Sequence, residues 1–310
     1  TPWFYAMARI YADFNGPSDQ AAVAAIQSQM QIVGLSDWGK ENPPPPAHPP
    51  VADVGDLSDV LLESDVVSYI KKMVISDPMS FWRTVNHAMT VNGVPERDQR
   101  YLKDWAELHI GPDQDVYQAE ENEQAGLAKA VLDGIMIMRA YRSSEDRKVN
   151  GWGVPPVGFG RSGVHGNFYM RGAIQSMRGI VANDAEEAMY MARDKDQNGD
   201  SITSEHTYEL HFPSGQTPPA RYFWSLTVYD EDANLMLNDY DRYAISGNSE
   251  DLIYENDGSL RILIGGKPPE GMVGNWLPAG ESFTRVTLRV YGPEKAMLER
   301  SWKPPQLKRL

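Results

Sequence analysis

Five short runs, at 207–212, 222–229, 242–245, 260–264 and 285–291, alternate in character over a few residues each, and they narrow the fold more than any other feature. In an extended chain successive side chains point to opposite faces, so such runs make strands with one buried side. Turn residues separate them: Ser214-Gly215, Asn256-Asp257-Gly258 and Pro278-Ala279-Gly280. Many short strands at this spacing predict a sandwich or barrel. The expectation is an antiparallel β-sandwich of the jelly-roll kind, opening near residue 149, where Gly, Pro and aromatic residues become frequent.

Upstream the texture is helical. Asp77-Pro78 suits a helix start and is followed by Phe81, Val85, His87, Ala88 and Met89. A second start at Pro95-Glu96-Arg97 places Tyr101, Leu102, Trp105 and Leu108 on one face, and Gly111-Pro112 stops it. A third helix is predicted from Ala119 to Arg142, with Leu127, Val131, Ile135 and Met138 spaced for burial. At the start of the chain, residues 3–14 read as a strand and a helix follows from Pro17 or Ser18. In that helix Ala22, Ile26 and Met30 form an expected buried stripe. The run from Asn42 to Pro50 is a polyproline-type connector. The class is therefore α+β, a helical subdomain followed by the sandwich.

Charge and composition exclude whole classes of function. The formal net charge is -14, with 43 acidic and 29 basic residues, and such a field repels nucleic-acid backbones and anionic lipids. No apolar run is long enough to span a membrane. The absence of cysteine removes disulfides, thiolate metal sites, iron–sulfur clusters and cysteine nucleophiles.

Several residue groups are candidates for chemistry. Asp194, Asp196, Asn198, Asp200 and Glu205, with Gly199 at the sixth place, match the oxygen-ligand spacing of a calcium loop. Against that, Ser201 stands where an apolar residue is usual, and a strand-like segment follows where a helix is needed. A polar turn between strands is the alternative. Gly158, Gly160 and Gly163 match the dinucleotide-binding spacing only as a string, because no buried strand precedes them. The six histidines form no ligand pair; His165, near Tyr169 and Arg171, is the one best placed for acid–base work. In the last third, Trp224, Tyr229, Tyr240, Tyr243, Trp276 and Tyr291 crowd with Asn238, Arg242, Asn275 and Arg289. Aromatic faces can stack a sugar ring while Arg and Asn supply direction; the same residues serve equally as core.

Seven segments in order resemble a bacterial family that pairs domains of unknown function 1254 and 1214. They are Asn150-Gly-Trp, Asn167-Phe-Tyr-Met-Arg-Gly-Ala, Tyr208-Glu-Leu-His-Phe-Pro-Ser-Gly-Gln, Phe223-Trp-Ser-Leu-Thr-Val-Tyr-Asp, Arg242-Tyr-Ala-Ile, Asn256-Asp-Gly-Ser-Leu and Asn275-Trp-Leu-Pro-Ala. The resemblance implies an immunoglobulin-like β-domain, a helical subdomain and a C-terminal jelly roll. On that basis residues 1–35 are the end of a shortened first β-domain, 36–55 a linker, 56–148 the helical part and 149–310 the sandwich. It also implies a β-turn at 194–205 and carries no catalytic residues with it.

Three functional readings follow. The first is a binding protein for a neutral or glycan-like molecule, using Trp224, Tyr229, Asn238, Arg242, Tyr243, Asn275 and Trp276. The second is a cofactor-independent hydrolase or lyase with His165, Tyr169 and Arg171 between the helical and β parts. The third is an assembly subunit, with the proline-rich connector and exposed aromatic residues at an interface and a homo-oligomer among the assemblies it admits. No cofactor is expected apart from the calcium that the loop spacing admits. The expected compartment is the periplasm or the exterior, with the cytoplasm as the alternative.

Overall fold

The computed structural model describes residues 8, 10, 17–44, 74–142, 148–155, 171–172, 183–231, 234–281 and 283–310. The initial strand, most of the proline-rich connector and the 158–163 glycine string lie outside these residues. The chain divides into two compact units, Thr1–Gly134 and Ile135–Leu310.

The first unit contains helices α1 (Pro17–Gln29), α2 (Pro78–Asn92) and α3 (Gln99–Trp105), and most of α4 (Glu121–Arg142). Asp77 caps α2 as its sequence promises: its carboxylate accepts from the Ser80 amide, and Pro78 occupies the first turn. Among the described residues the unit has one buried cluster. Met79, Ile110, Val116 and Leu127 are buried together, with Trp82, Met89, Leu108 and Ala128 against them. Asn86 is buried beside them and saturates its amide: Nδ2 donates to the His109 and Gln114 carbonyls, and Oδ1 accepts from the Gly111 amide. One side chain thus fixes the turn that ends the α3 segment. In α1, Ala22, Ile26 and Met30 are exposed, contrary to the expected buried stripe. Spacing gives a helix an apolar face, but only a second element laid against that face buries it. His87 is exposed for the same reason, whereas His109 is half-buried in a left-handed conformation.

The second unit is built from two open sheets. The larger has the order β1 (Lys148–Val149), β2 (Trp152–Gly153), β3 (Ala188–Arg193), β9 (Arg285–Pro293), β5 (Ala220–Tyr229), β6 (Ala244–Ser246). The smaller has the order β10 (Lys308–Arg309), β4 (Tyr208–Phe212), β7 (Leu260–Ile264), β8 (Trp276–Leu277), with a short helix α5 (Lys295–Leu298) after β9. All pairings are antiparallel except β7 with β8. Apolar residues of both sheets form one cluster, among them Met189, Met191, Leu226, Val228, Leu288 and Val290 from the larger and Tyr208, Leu210, Phe212, Ile262 and Ile264 from the smaller. The fold is therefore mixed, helical and antiparallel-sheet, and neither sheet closes on itself.

The segment 304–310 is tied in at several points. The Pro304 and Pro305 carbonyls accept from Asn150 Nδ2 and Trp152 Nε1, and Leu307 is fully buried. Gln197 donates its amide to Leu307 O, and Leu310 donates to Thr207 O. The Asn150-Gly-Trp motif thus serves as a clasp. Gly151, at φ +83°, lies against the Arg193 guanidinium, where a Cβ has no room.

Candidate functional site

The alternation of β5 decides which aromatic residues are free for function. Trp224, Leu226 and Val228 point into the core, so Phe223, Ser225, Thr227 and Tyr229 stand on the other face. In β9 Val286, Leu288 and Val290 are inward, leaving Arg285, Thr287, Arg289 and Tyr291 outward. In β3 Met189 and Met191 are inward and Tyr190 is outward. The register places Phe223 opposite Tyr291, Tyr190 and Ser225 on either side of Arg289, and Arg285 opposite Tyr229.

These outward side chains form a continuous run across three strands. The rings of Phe223 and Tyr291 stack at 4.5 Å, and Tyr291 meets Tyr190 edge to face at 6.1 Å. The Tyr190 and Tyr291 hydroxyls share a 3.3 Å hydrogen bond. The Arg289 guanidinium then lies 5.8 Å from the Tyr190 ring and 5.3 Å from the Tyr229 ring, and the Arg285 guanidinium lies 5.8 Å from the Tyr229 ring. Arg289 donates Nη1 to Thr227 Oγ1 at 3.0 Å and Nη2 to the Tyr229 hydroxyl. Tyr291 is only 8% exposed and Thr227 7%, so the accessible part centres on Tyr190, Tyr229 and Arg289.

The residues expected to line an aromatic cleft are placed differently. Trp224 is buried beneath Gly247 and packs on Phe212 at 5.8 Å. Trp276 is buried, donates Nε1 to Gly265 O at 2.8 Å and meets Tyr240 edge to face. Asn275 is buried and spends its amide on the Ile253 and Arg261 backbone. All three are buried, Trp224 in the main apolar cluster and Trp276 and Asn275 by bonds to backbone, so they present little surface to a ligand. Asn238 holds its own turn, accepting from the Tyr240 and Arg242 amides and donating to the Met236 and Arg242 carbonyls. Arg242 bridges Asp251 at 2.8 Å and the Gly274 carbonyl. The Tyr243 phenol is held above its ordinary range by burial and by a hydrogen bond to the Asp241 carboxylate. Of the expected seven, Tyr229 alone belongs to the outward run.

Of the acid–base group, His165 and Tyr169 lie outside the described residues. Arg171 is half-buried and has partners.

The 194–205 segment is a tight turn between strands. Asp196 Oδ1 accepts from the Asn198 and Asp200 amides, while its Oδ2 lies 3.5 Å from Arg309 Nε. Asp200 faces the same guanidinium at 3.3 Å, and Glu205 is exposed. Burial pushes the Arg193 guanidinium down, opposed by the Asp196 and Asp194 carboxylates. Two of the five calcium-loop residues therefore turn to an arginine, and no group of three or more metal-ligating side chains gathers among the described residues. The strand at Tyr208–Phe212 follows where a calcium loop needs a helix.

Two shallow hollows near α5 have volumes of about 460 and 510 Å³. The first is lined by charges of both signs: Glu186, Arg221, Glu294 and Lys295. No helix among the described residues is long and apolar enough to cross a membrane.

The outward run and its two-sheet support define a class: a helical unit joined to an antiparallel β-unit. Within it, residues 187–295 match a family described as "Protein of unknown function (DUF1214)". That stretch contains β5, β9 and all of the outward run. No curated protein matches the chain. The crystal structure of the VPA0106 protein from Vibrio parahaemolyticus is similar at a TM-score of 0.60 and 19% identity, over 95% of this chain and 66% of that one. An uncharacterised protein from Burkholderia cenocepacia aligns at 0.32 and 12% identity, over 79% of this chain and 52% of that one. The Vibrio structure supports the fold alone.

Proposed function

We propose that this chain is a binding protein that takes a small glycan-like molecule on the outer face of its six-stranded sheet. One observation carries the reading: the rings of Phe223, Tyr291, Tyr190 and Tyr229 form a continuous run with Arg289 on the side of the sheet turned away from the core. Tyr291 is buried within that run, and the half-buried Tyr190, Tyr229 and Arg289 are members a ligand can reach. Flat rings flanked by hydroxyls suit the apolar face and hydroxyl edge of a sugar. The strands hold these side chains in a fixed register, so little order is lost on binding.

The fold belongs to the same reading. We take the β-unit as a jelly roll because the chain passes repeatedly from one sheet to the other, with both apolar faces meeting in one cluster. The ordered motifs from Asn150 to Trp276 support pairing of the DUF1214 domain with a domain of unknown function 1254.

Calorimetric titration with a panel of neutral and acidic sugars tests the proposal. At least one sugar is expected to bind at or below roughly 1 mM, and Tyr229→Ala should weaken it about tenfold or more. Because Tyr229 is only half-buried, its melting temperature should shift little. If no sugar binds, or if Tyr229→Ala binds as wild type does, the reading is wrong.

A further inference from the structure

Building on the reading above, we propose that the ligand of this face carries a carboxylate and that Arg289 receives it. Among the described residues no carboxylate forms an ion pair with Arg289, although the chain has 43 acidic residues against 29 basic ones. Three other arginines of the β-unit have such partners: Arg242 pairs with Asp251, Arg261 with Glu209 and Glu255, and Arg309 with Asp196 and Asp200. Among the described residues Arg289 shares its lack of one with Arg193, Arg221 and Arg300, and differs from them in standing within the aromatic run. Arg289 is half-buried, and among the described residues the groups it touches, Thr227, Tyr190 and Tyr229, carry no negative charge, while Arg285 shares the Tyr229 ring with it. A cation withdrawn from water without a counter-ion is costly, and an arriving anion relieves that cost.

The geometry selects a planar anion. A guanidinium carries five N–H donors in one plane, of which two are engaged here. The others can meet both oxygens of a carboxylate side by side. The Tyr229 hydroxyl accepts from Arg289 and so keeps its own hydrogen to donate to the same anion. Arg289 lies on β9, hydrogen-bonded between β3 and β5, which fixes the donors before the ligand arrives. The net charge of the chain opposes anion binding in general, so any preference for an acid must come from this local arrangement.

A sugar acid and an aromatic acid both present this carboxylate beside a ring, and matched probes separate them. Galacturonate and its trimer are titrated beside galactose and its trimer, and benzoate beside benzyl alcohol, at low and at 0.5 M salt. The acid of one pair should bind about tenfold or more tighter than its neutral twin, and salt should erase that margin without affecting the twin. Arg289→Gln should remove the preference and leave the weak binding of the neutral twin. Should Arg289→Gln fail to fold, the salt dependence of the wild-type protein decides. Equal binding of acid and twin, a preference that survives Arg289→Gln, or failure of every acid to bind overturns the assignment. Tyr229-dependent binding of a neutral sugar alone would leave the glycan-binding reading standing while this one fails. A preference confined to benzoate would keep Arg289 as the anion receptor and identify an aromatic acid as the ligand.

Discussion

At the residue scale, the β-unit uses polar side chains mostly to fasten its own backbone. Asn275, Asn238 and Arg242 all do this, which is why residue types suited to ligand contact turned out to be structural. Asp257 is a simpler case. Its carboxylate accepts the Ser259 amide at 2.9 Å, and this bond, with the Ser259 hydroxyl next, holds its pKa below the ordinary value. A carboxylate whose folded-state pKa is depressed stabilises the fold fully above its unfolded pKa, and that contribution disappears as pH falls through the folded value. Asp257→Ala should therefore be less stable than wild type at pH 7. The difference should begin to shrink as pH falls below about 4, the usual aspartate range, and close only below the lower folded value. Urea unfolding at several pH values measures this, and a difference that stays constant with pH would refute it. The parity of β5 shows how much of the site was legible. Trp224, Leu226 and Val228 alternate inward, so Tyr229 had to point outward, and the sequence contains that argument. That Arg289 lacks an acidic partner was not readable, because it depends on strands far apart in the chain.

At the scale of elements, strands with strong alternation were visible and those without it were not. The 260–264 run is matched to the residue by β7, and 207–212 nearly so by β4. β3 escaped notice because Ala-Met-Tyr-Met-Ala-Arg lacks β-branched residues; pairing with β2 and β9 overrides its helical preference. β10 is two charged residues long and has no sequence signal at all. Yet it forms one edge of the smaller sheet, with Leu307 beside it fully buried. Leu307→Ala should cost about 2–5 kcal/mol. Gln306→Ala, whose side chain reaches only Asn150 at an exposed position, should cost well under 1 kcal/mol. Chemical denaturation of the two variants compares them directly, and equal losses would contradict the clasp.

At the scale of the molecule, the two units differ in the size of their cores. Among the described residues the helical unit buries one small cluster around Met79 and Val116, while the β-unit buries both sheets in a cluster several times larger. Burial of apolar surface is the main source of stability, so the β-unit should resist opening longer. Hydrogen exchange at neutral pH should show β5 and β9 amides protected well beyond those of α2 and α3. The reverse order would mean that the helical unit draws its stability from elsewhere. The position of β9 between β3 and β5 has a consequence for the chain during its synthesis. Both neighbours are translated first, and until residues 285–293 emerge each offers an unpaired edge. An emerging chain with two open strand edges can be captured by another copy, so the interval before β9 arrives is when this protein most needs protection from its own kind.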